Sequence, residues 1–78
     1  MLETGKLYKY TYPYSTGLYH SPSDRLYFSE VCWNDTFLLL EQKNVSTYEH
    51  LKILTSNGET GWITGKGHIA SVDTSNVA

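Results

Sequence analysis

The stretch His50 to Thr64, His-Leu-Lys-Ile-Leu-Thr-Ser-Asn-Gly-Glu-Thr-Gly-Trp-Ile-Thr, constrains the fold more than any other part of the chain. Leu51, Ile53 and Thr55 fall on one side of a period-two strand and Lys52 and Leu54 on the other, while Trp62 and Ile63 begin a second strand after a break. Between them, Asn57-Gly58 is a pair that tolerates positive φ at both central turn positions, so it reverses the chain with the twist its strands need. Gly61 suits a bulge or a close backbone approach beside the indole of Trp62. The segment is read as a β-hairpin.

The rest of the chain reads as strands of the same kind. In Lys6 to Tyr14, tyrosine recurs at positions 8, 10, 12 and 14, so a strand places Tyr8, Tyr10, Tyr12 and Tyr14 on one face. Such a face buries its rings as core and rim, or stays open as an aromatic platform. Pro13 donates no ladder hydrogen bond and sets the end of this strand at a sheet edge or bulge. The turn clusters Ser15-Thr16-Gly17 and Ser21-Pro22-Ser23-Asp24 enclose Leu18-Tyr19-His20 in a long, irregular first loop. Arg25 to Trp33 is rich in aromatic and β-branched residues and reads as a strand, with Tyr27, Val31 and Trp33 on one face and Leu26 and Phe28 on the other. Asn34-Asp35 then reverses the chain.

Thr36 to Gln42 contains the apolar run Phe37-Leu38-Leu39-Leu40. As a strand it points Phe37 and Leu39 one way and Leu38 and Leu40 the other, and a small barrel has a single inside. Leu38 and Leu40 are therefore the expected subunit interface. Lys43 to Glu49 reads as a polar loop; its Ser46-Thr47-Tyr48-Glu49 matches a helix capping box, but too few residues follow for a stable helix. Ile69 to Val72 is a short closing strand and residues 73–78 a frayed tail.

A chain of 78 residues makes one domain, and at this length about 60% of the unfolded surface is buried, a thin margin over conformational entropy. Disulfides, a metal or self-association usually supplement such a core. Cys32 is the single cysteine, and His20, Cys32, His50 and His68 show no metal-ligand spacing, so a homo-oligomer is expected and no cofactor or metal. A net charge of −2 gives no basic field of the kind nucleic-acid binders use. The N-terminus has no basic and apolar leader and no run reaches the length of a membrane span, so the sequence reads as a soluble cytoplasmic protein with no membrane partner. Asn34-Asp35-Thr36 and Asn44-Val45-Ser46 fit the glycosylation acceptor pattern, which arises by chance in a chain rich in these residues.

No constellation points to catalysis. Cys32 lies in an apolar strand next to Trp33, where a thiol is an inert small hydrophobe. Gly61 to Gly67 is one residue short of phosphate-loop spacing, lacks its hydroxyl residue, and is followed by no helix. Glu30, Asp35, Glu41 and Glu59 read as turn and rim residues without a cleft to pair them. Lys66 and His68, beside Gly65 and Gly67, form the one local basic feature where bare amides meet an anion. The candidate ligand-binding residues are thus Tyr10, Tyr12, Tyr14, Trp33, Tyr48, Lys66 and His68.

The segment Asn57-Gly58-Glu59-Thr60-Gly61-Trp62-Ile63 resembles the distal hairpin of SH3-like barrels, whose bacterial members often carry Gly-Trp and an aliphatic residue there. The order of an edge strand, a long first loop, three meander strands and a closing turn is similar to that barrel as well. The apolar Phe37 to Leu40 run resembles Sm-like barrels, which build rings, often on single-stranded RNA; for the whole chain the nearest likeness is to small Sm-like proteins of cyanophage origin. The expectation is an all-β, five-stranded SH3-like or Sm-like barrel over residues 1–72, with strands near 6–14, 25–33, 36–42, 50–56 and 61–64. Two functions follow from these resemblances. One is a non-enzymatic ring-forming assembly module, with single-stranded RNA as its nucleic-acid ligand; the other is a monomeric SH3-like domain that binds a peptide or cell-wall ligand.

Overall fold

A computed structural model describes residues 2–45, 48–64 and 69–72. The chain is all-β among these residues, with strands β1 (Leu7–Tyr10), β2 (Thr16–Leu18), β3 (Ser29–Val31), β4 (Thr36–Val45), β5 (Tyr48–Thr55), β6 (Thr60–Thr64) and β7 (Ile69–Ser71). Five of them form an antiparallel sheet in the order β6-β5-β4-β1-β7, and β2 and β3 make a separate two-stranded sheet. Among the described residues, one bridge, between Tyr19 and Trp62, joins the two sheets. Among the described residues the ladder of the main sheet runs from β6 to β7 without closing on itself, so the backbone pairing is that of an open sheet rather than a closed five-stranded barrel.

The hairpin β5-β6 forms where the alternating pattern places it, with Ile53 opposite Gly61 and Leu51 opposite Ile63. Its turn differs from the expected one. Gly58 has φ of +85° and Asn57 does not have a positive φ. The Gly58 amide donates to the Thr55 carbonyl at 3.0 Å and the Thr55 amide to the Glu59 carbonyl at 2.8 Å, the pattern of a type I turn closed by a left-handed glycine in a bulge. Gly61 makes the expected close approach, and its neighbour is the first loop: a Cβ there would lie 2.7 Å from Leu18 Cγ and 2.8 Å from the Tyr19 carbonyl oxygen.

Both long strands exceed their expected bounds. Of the stretch read as a polar loop, residues 43–45 and 48–49 are strand, with Lys43 opposite His50, Asn44 opposite Glu49 and Val45 opposite Tyr48. Polar residues serve in a ribbon whose two faces both meet solvent, which is why hydrophobic alternation gave no sign of it. Ser46 and Thr47, half of the capping-box match, lie outside the described residues. The register of β4 slips between Leu39 and Glu41, leaving Leu40 as the extra residue of a bulge.

The two aromatic segments are shorter as strands than expected. β1 ends at Tyr10, before Pro13, because the Tyr10 amide donates to Asp35 and its carbonyl accepts from the Asn34 amide, a turn rather than a strand. Of Arg25 to Trp33, Ser29–Val31 alone is strand. The chain past it closes a tight turn in which the Asp35 amide donates to the Cys32 carbonyl and Asn34 takes φ of +73°, a conformation asparagine tolerates. The first loop, read as irregular, is itself folded into the β2-β3 hairpin.

The core follows from the registers. Tyr8 pairs with Phe37 and Leu39 with Ile53, so Tyr8, Tyr10, Phe37, Leu39, Leu51, Ile53 and Ile63 line the inner face of the sheet. Leu18 and Val31, one from each strand of the small sheet, complete that core.

Candidate functional site

Most of the large hydrophobic side chains left in water lie on the first loop. Tyr12, Tyr14, Leu26, Tyr27, Phe28 and Trp33 are all exposed, with Leu26 at 84%, Tyr14 at 69% and Trp33 at 63% of their full accessibility. Leu7, Leu40 and Tyr48 are the remaining exposed large hydrophobics among the described residues. Isolated exposed apolar residues are ordinary, whereas several on one loop mark a contact surface.

Hydrogen bonds and ring contacts within the loop place these side chains. At its base, the two hydrogen bonds between Tyr10 and the Asn34-Asp35 turn bring the Tyr12–Tyr14 leg and the Cys32–Asp35 leg together. Tyr12 and Tyr14 pack with centroids 5.4 Å apart and ring planes tilted by 57°, and the Asp35 carboxylate accepts the Cys32 amide at 2.8 Å to fix the turn that carries Trp33. Farther out, Tyr19 meets Tyr27 edge to face at 6.2 Å, and His20 stacks on Phe28 at 3.9 Å. Ser21 caps its own turn through Ser23 and Asp24, and the Ser29 hydroxyl donates to the Glu59 carboxylate at 2.9 Å, tying β3 to the distal turn. Gly17 allows the hairpin to close, since a Cβ there would stand 2.8 Å from Tyr27 Cβ.

Charge singles out the same loop. Residues 11–35 contain one cation, Arg25, against Asp24, Glu30 and Asp35, so the loop carries the whole net charge of −2 while the rest of the chain is balanced. A ligand for this surface must suit aromatic rings in an acidic field.

The other expected site residues are distributed differently. Tyr10 is buried in the core and is no platform; burial pushes its phenol up from the usual 10.0, a hydrogen bond with the Thr16 side chain pulls it back down, and nearby Tyr12 adds a smaller upward push. Tyr48 is exposed but begins β5 opposite Val45, seven residues along the strand from Thr55 and away from the loop. Lys66 and His68 lie outside the described residues. Cys32 is exposed at a turn rather than buried in an apolar strand. Of the described histidines, His20 lies on Phe28 and His50 is buried in β5 between Lys43 and Thr64. A cleft of about 80 Å³ between β3 and the distal turn is lined by Glu30, Asp35, Thr36, Ser56 and Glu59, well below the roughly 300 Å³ of a ligand pocket.

The expected second apolar face exists in altered form. Leu38 stands between Leu7 on β1 and Leu54 on β5, an aliphatic row across the outer face of the sheet, and Leu40 lies beside it at the bulge. Sequence reading missed Leu26, Tyr27 and Phe28 as surface residues because β-propensity assigned them to a strand. The Ser-Pro-Ser-Asp cluster just before them was the available signal that the chain is still in a loop. Among the described residues, no His, Cys, Asp or Glu group is placed to hold a metal ion, and no helix is long and apolar enough to cross a membrane. Comparison with known proteins finds no matching family model, no similar curated protein and no similar solved structure.

Proposed function

We propose that this chain is a non-enzymatic binding domain of the SH3-like type, which uses its first loop to hold an extended peptide. The observation that carries the reading is the gathering of exposed aromatic side chains, together with the chain's net negative charge, on that one loop. The order β7-β1-β4-β5-β6, with a long hairpin-bearing loop between β1 and β4, also suits an SH3-like topology. Tyrosine and tryptophan give large contact area at little entropic cost, and their polar tips pair with a peptide backbone. The carboxylates nearby favour a peptide with a basic residue and disfavour single-stranded RNA, whose phosphates they repel.

The alternative is a homo-oligomeric ring of the Sm-like type, supported by the outer row of Leu7, Leu38 and Leu54. We prefer the peptide-binding reading because a ring built by edge pairing needs a free sheet edge, and Tyr19 occupies the middle of β6.

Selection of short peptides displayed against the immobilised chain, followed by titration of the selected sequence, tests the proposal. Truncating one aromatic anchor costs about 2 kcal/mol, so Tyr14→Ala or Trp33→Ala alone should weaken binding by about 30-fold and the double variant by more than either, and binding should weaken further as salt rises. Peptides that bind this double variant undiminished, or single-stranded RNA bound in their place, would overturn it.

A further inference from the structure

We infer that the outer edge of β6 is a pairing site for β6 of a second copy of this chain, kept covered by the first loop. The Trp62 amide donates to the Tyr19 carbonyl at 2.7 Å and the Tyr19 amide to the Trp62 carbonyl at 3.0 Å, so the polar backbone groups of residue 62 point away from β5. In an antiparallel strand those groups alternate, and Thr60 and Thr64 therefore point the same way. Among the described residues neither has a backbone partner on that side. The cover is a single bridge in the middle of a strand able to pair along its whole length.

The sequence of β6 is suited to its own copy. Thr60-Gly61-Trp62-Ile63-Thr64 has no charge, and an antiparallel pair centred on Trp62 sets Thr60 opposite Thr64 of the second strand, Gly61 opposite Ile63, and the two indoles opposite each other. Threonine pairs and aromatic pairs are favourable across strands, and no like charges meet. The three outward-facing residues of each strand then fall in hydrogen-bonded register, for about six backbone hydrogen bonds in place of the two made with Tyr19. What opposes this exchange is the core: lifting the loop withdraws Leu18 and Val31. Gly61 sets the balance, because a side chain there collides with Leu18 and with the Tyr19 backbone at 2.7–2.8 Å.

Two variants lift the cover by independent routes. Gly61→Ala forces the loop away, and Tyr19→Pro removes the amide that donates to Trp62. Sedimentation velocity over a concentration series should show a dimer dissociation constant at least about tenfold lower than that of the parent chain in either variant. Adding Thr60→Lys with Thr64→Lys places lysine opposite lysine and should return the monomer, whereas Thr60→Lys with Thr64→Glu should restore the dimer. Should Gly61→Ala fail to fold, Tyr19→Pro gives the same reading without a new side chain in the core. The proposal is overturned if a folded variant has lost protection of the Trp62 amide against hydrogen exchange yet stays as monomeric as the parent. A dimer indifferent to the two lysines overturns it equally.

Discussion

Leu18→Ala is the most direct measure of how firmly the first loop belongs to the domain. Leu18 is fully buried, although it sits in a three-residue strand outside the main sheet. Its side chain rests over Gly61, whose missing Cβ leaves room for it. Removing the isobutyl group loses about 2 kcal/mol of transfer free energy, and the void adds to that in proportion to how little the site can collapse. One wall of the void is the β6 backbone, held in the β5 ladder and unable to move in, so the cost belongs in the middle of the range for such changes, about 3–4 kcal/mol. A domain of this length has roughly 4–12 kcal/mol in all. With a urea dependence of about 1 kcal/mol/M, the unfolding midpoint should fall by about 3 M, if the variant folds at all. Leu26→Ala, at the most exposed large hydrophobic of the loop, should change stability by less than about 0.5 kcal/mol. A Leu18→Ala cost below about 1 kcal/mol would refute the packing of this loop against β6.

Gly58→Ala isolates backbone strain, because φ is +85° and nothing lies within 4 Å of the added Cβ. It should lower stability by about 1–2 kcal/mol in urea unfolding, and Gly58→Asn by less; equal effects would show that the turn changes type on mutation. Tyr10 gives a pH dependence. Its folded pKa lies above 10.0, so the unfolded chain releases this proton first, and the stabilisation is complete below pH 10.0 and declines as pH rises through the folded value. Chemical unfolding at a series of alkaline pH values should show a steeper loss for the parent than for Tyr10→Phe, and parallel curves would refute the burial of the phenol.

The sequence was informative where burial is one-sided. Alternation located β5 and β6 because Leu51, Ile53 and Ile63 face inward while Lys52 and Thr64 do not. It misjudged the aromatic stretches, since tyrosine and phenylalanine are equally at home in a strand and on a contact surface. Tyr8 and Tyr27 look alike in sequence, yet one is core and the other faces water. What separates them is the neighbourhood: Tyr8 pairs with Phe37, about thirty residues away, a contact no local pattern contains. The second apolar face was legible at Leu38, but the bulge at Leu40 was not, because a one-residue slip depends on the partner strand. The outward-facing loop was legible as a loop only up to Asp24, where its turn residues end.

The two tryptophans divide the optical properties of the molecule. Trp33 stands in water on the first loop, and Trp62 is nearly enclosed on β6, opposite Tyr19. Emission from Trp33 is therefore red-shifted and open to quenching by iodide, while Trp62 emits to the blue and is shielded. An event at the loop's aromatic surface changes the quenchable component alone. Lifting of the loop converts the shielded component into a quenchable one. Occupancy and opening thus appear as separate changes in one spectrum, without any label added to the chain.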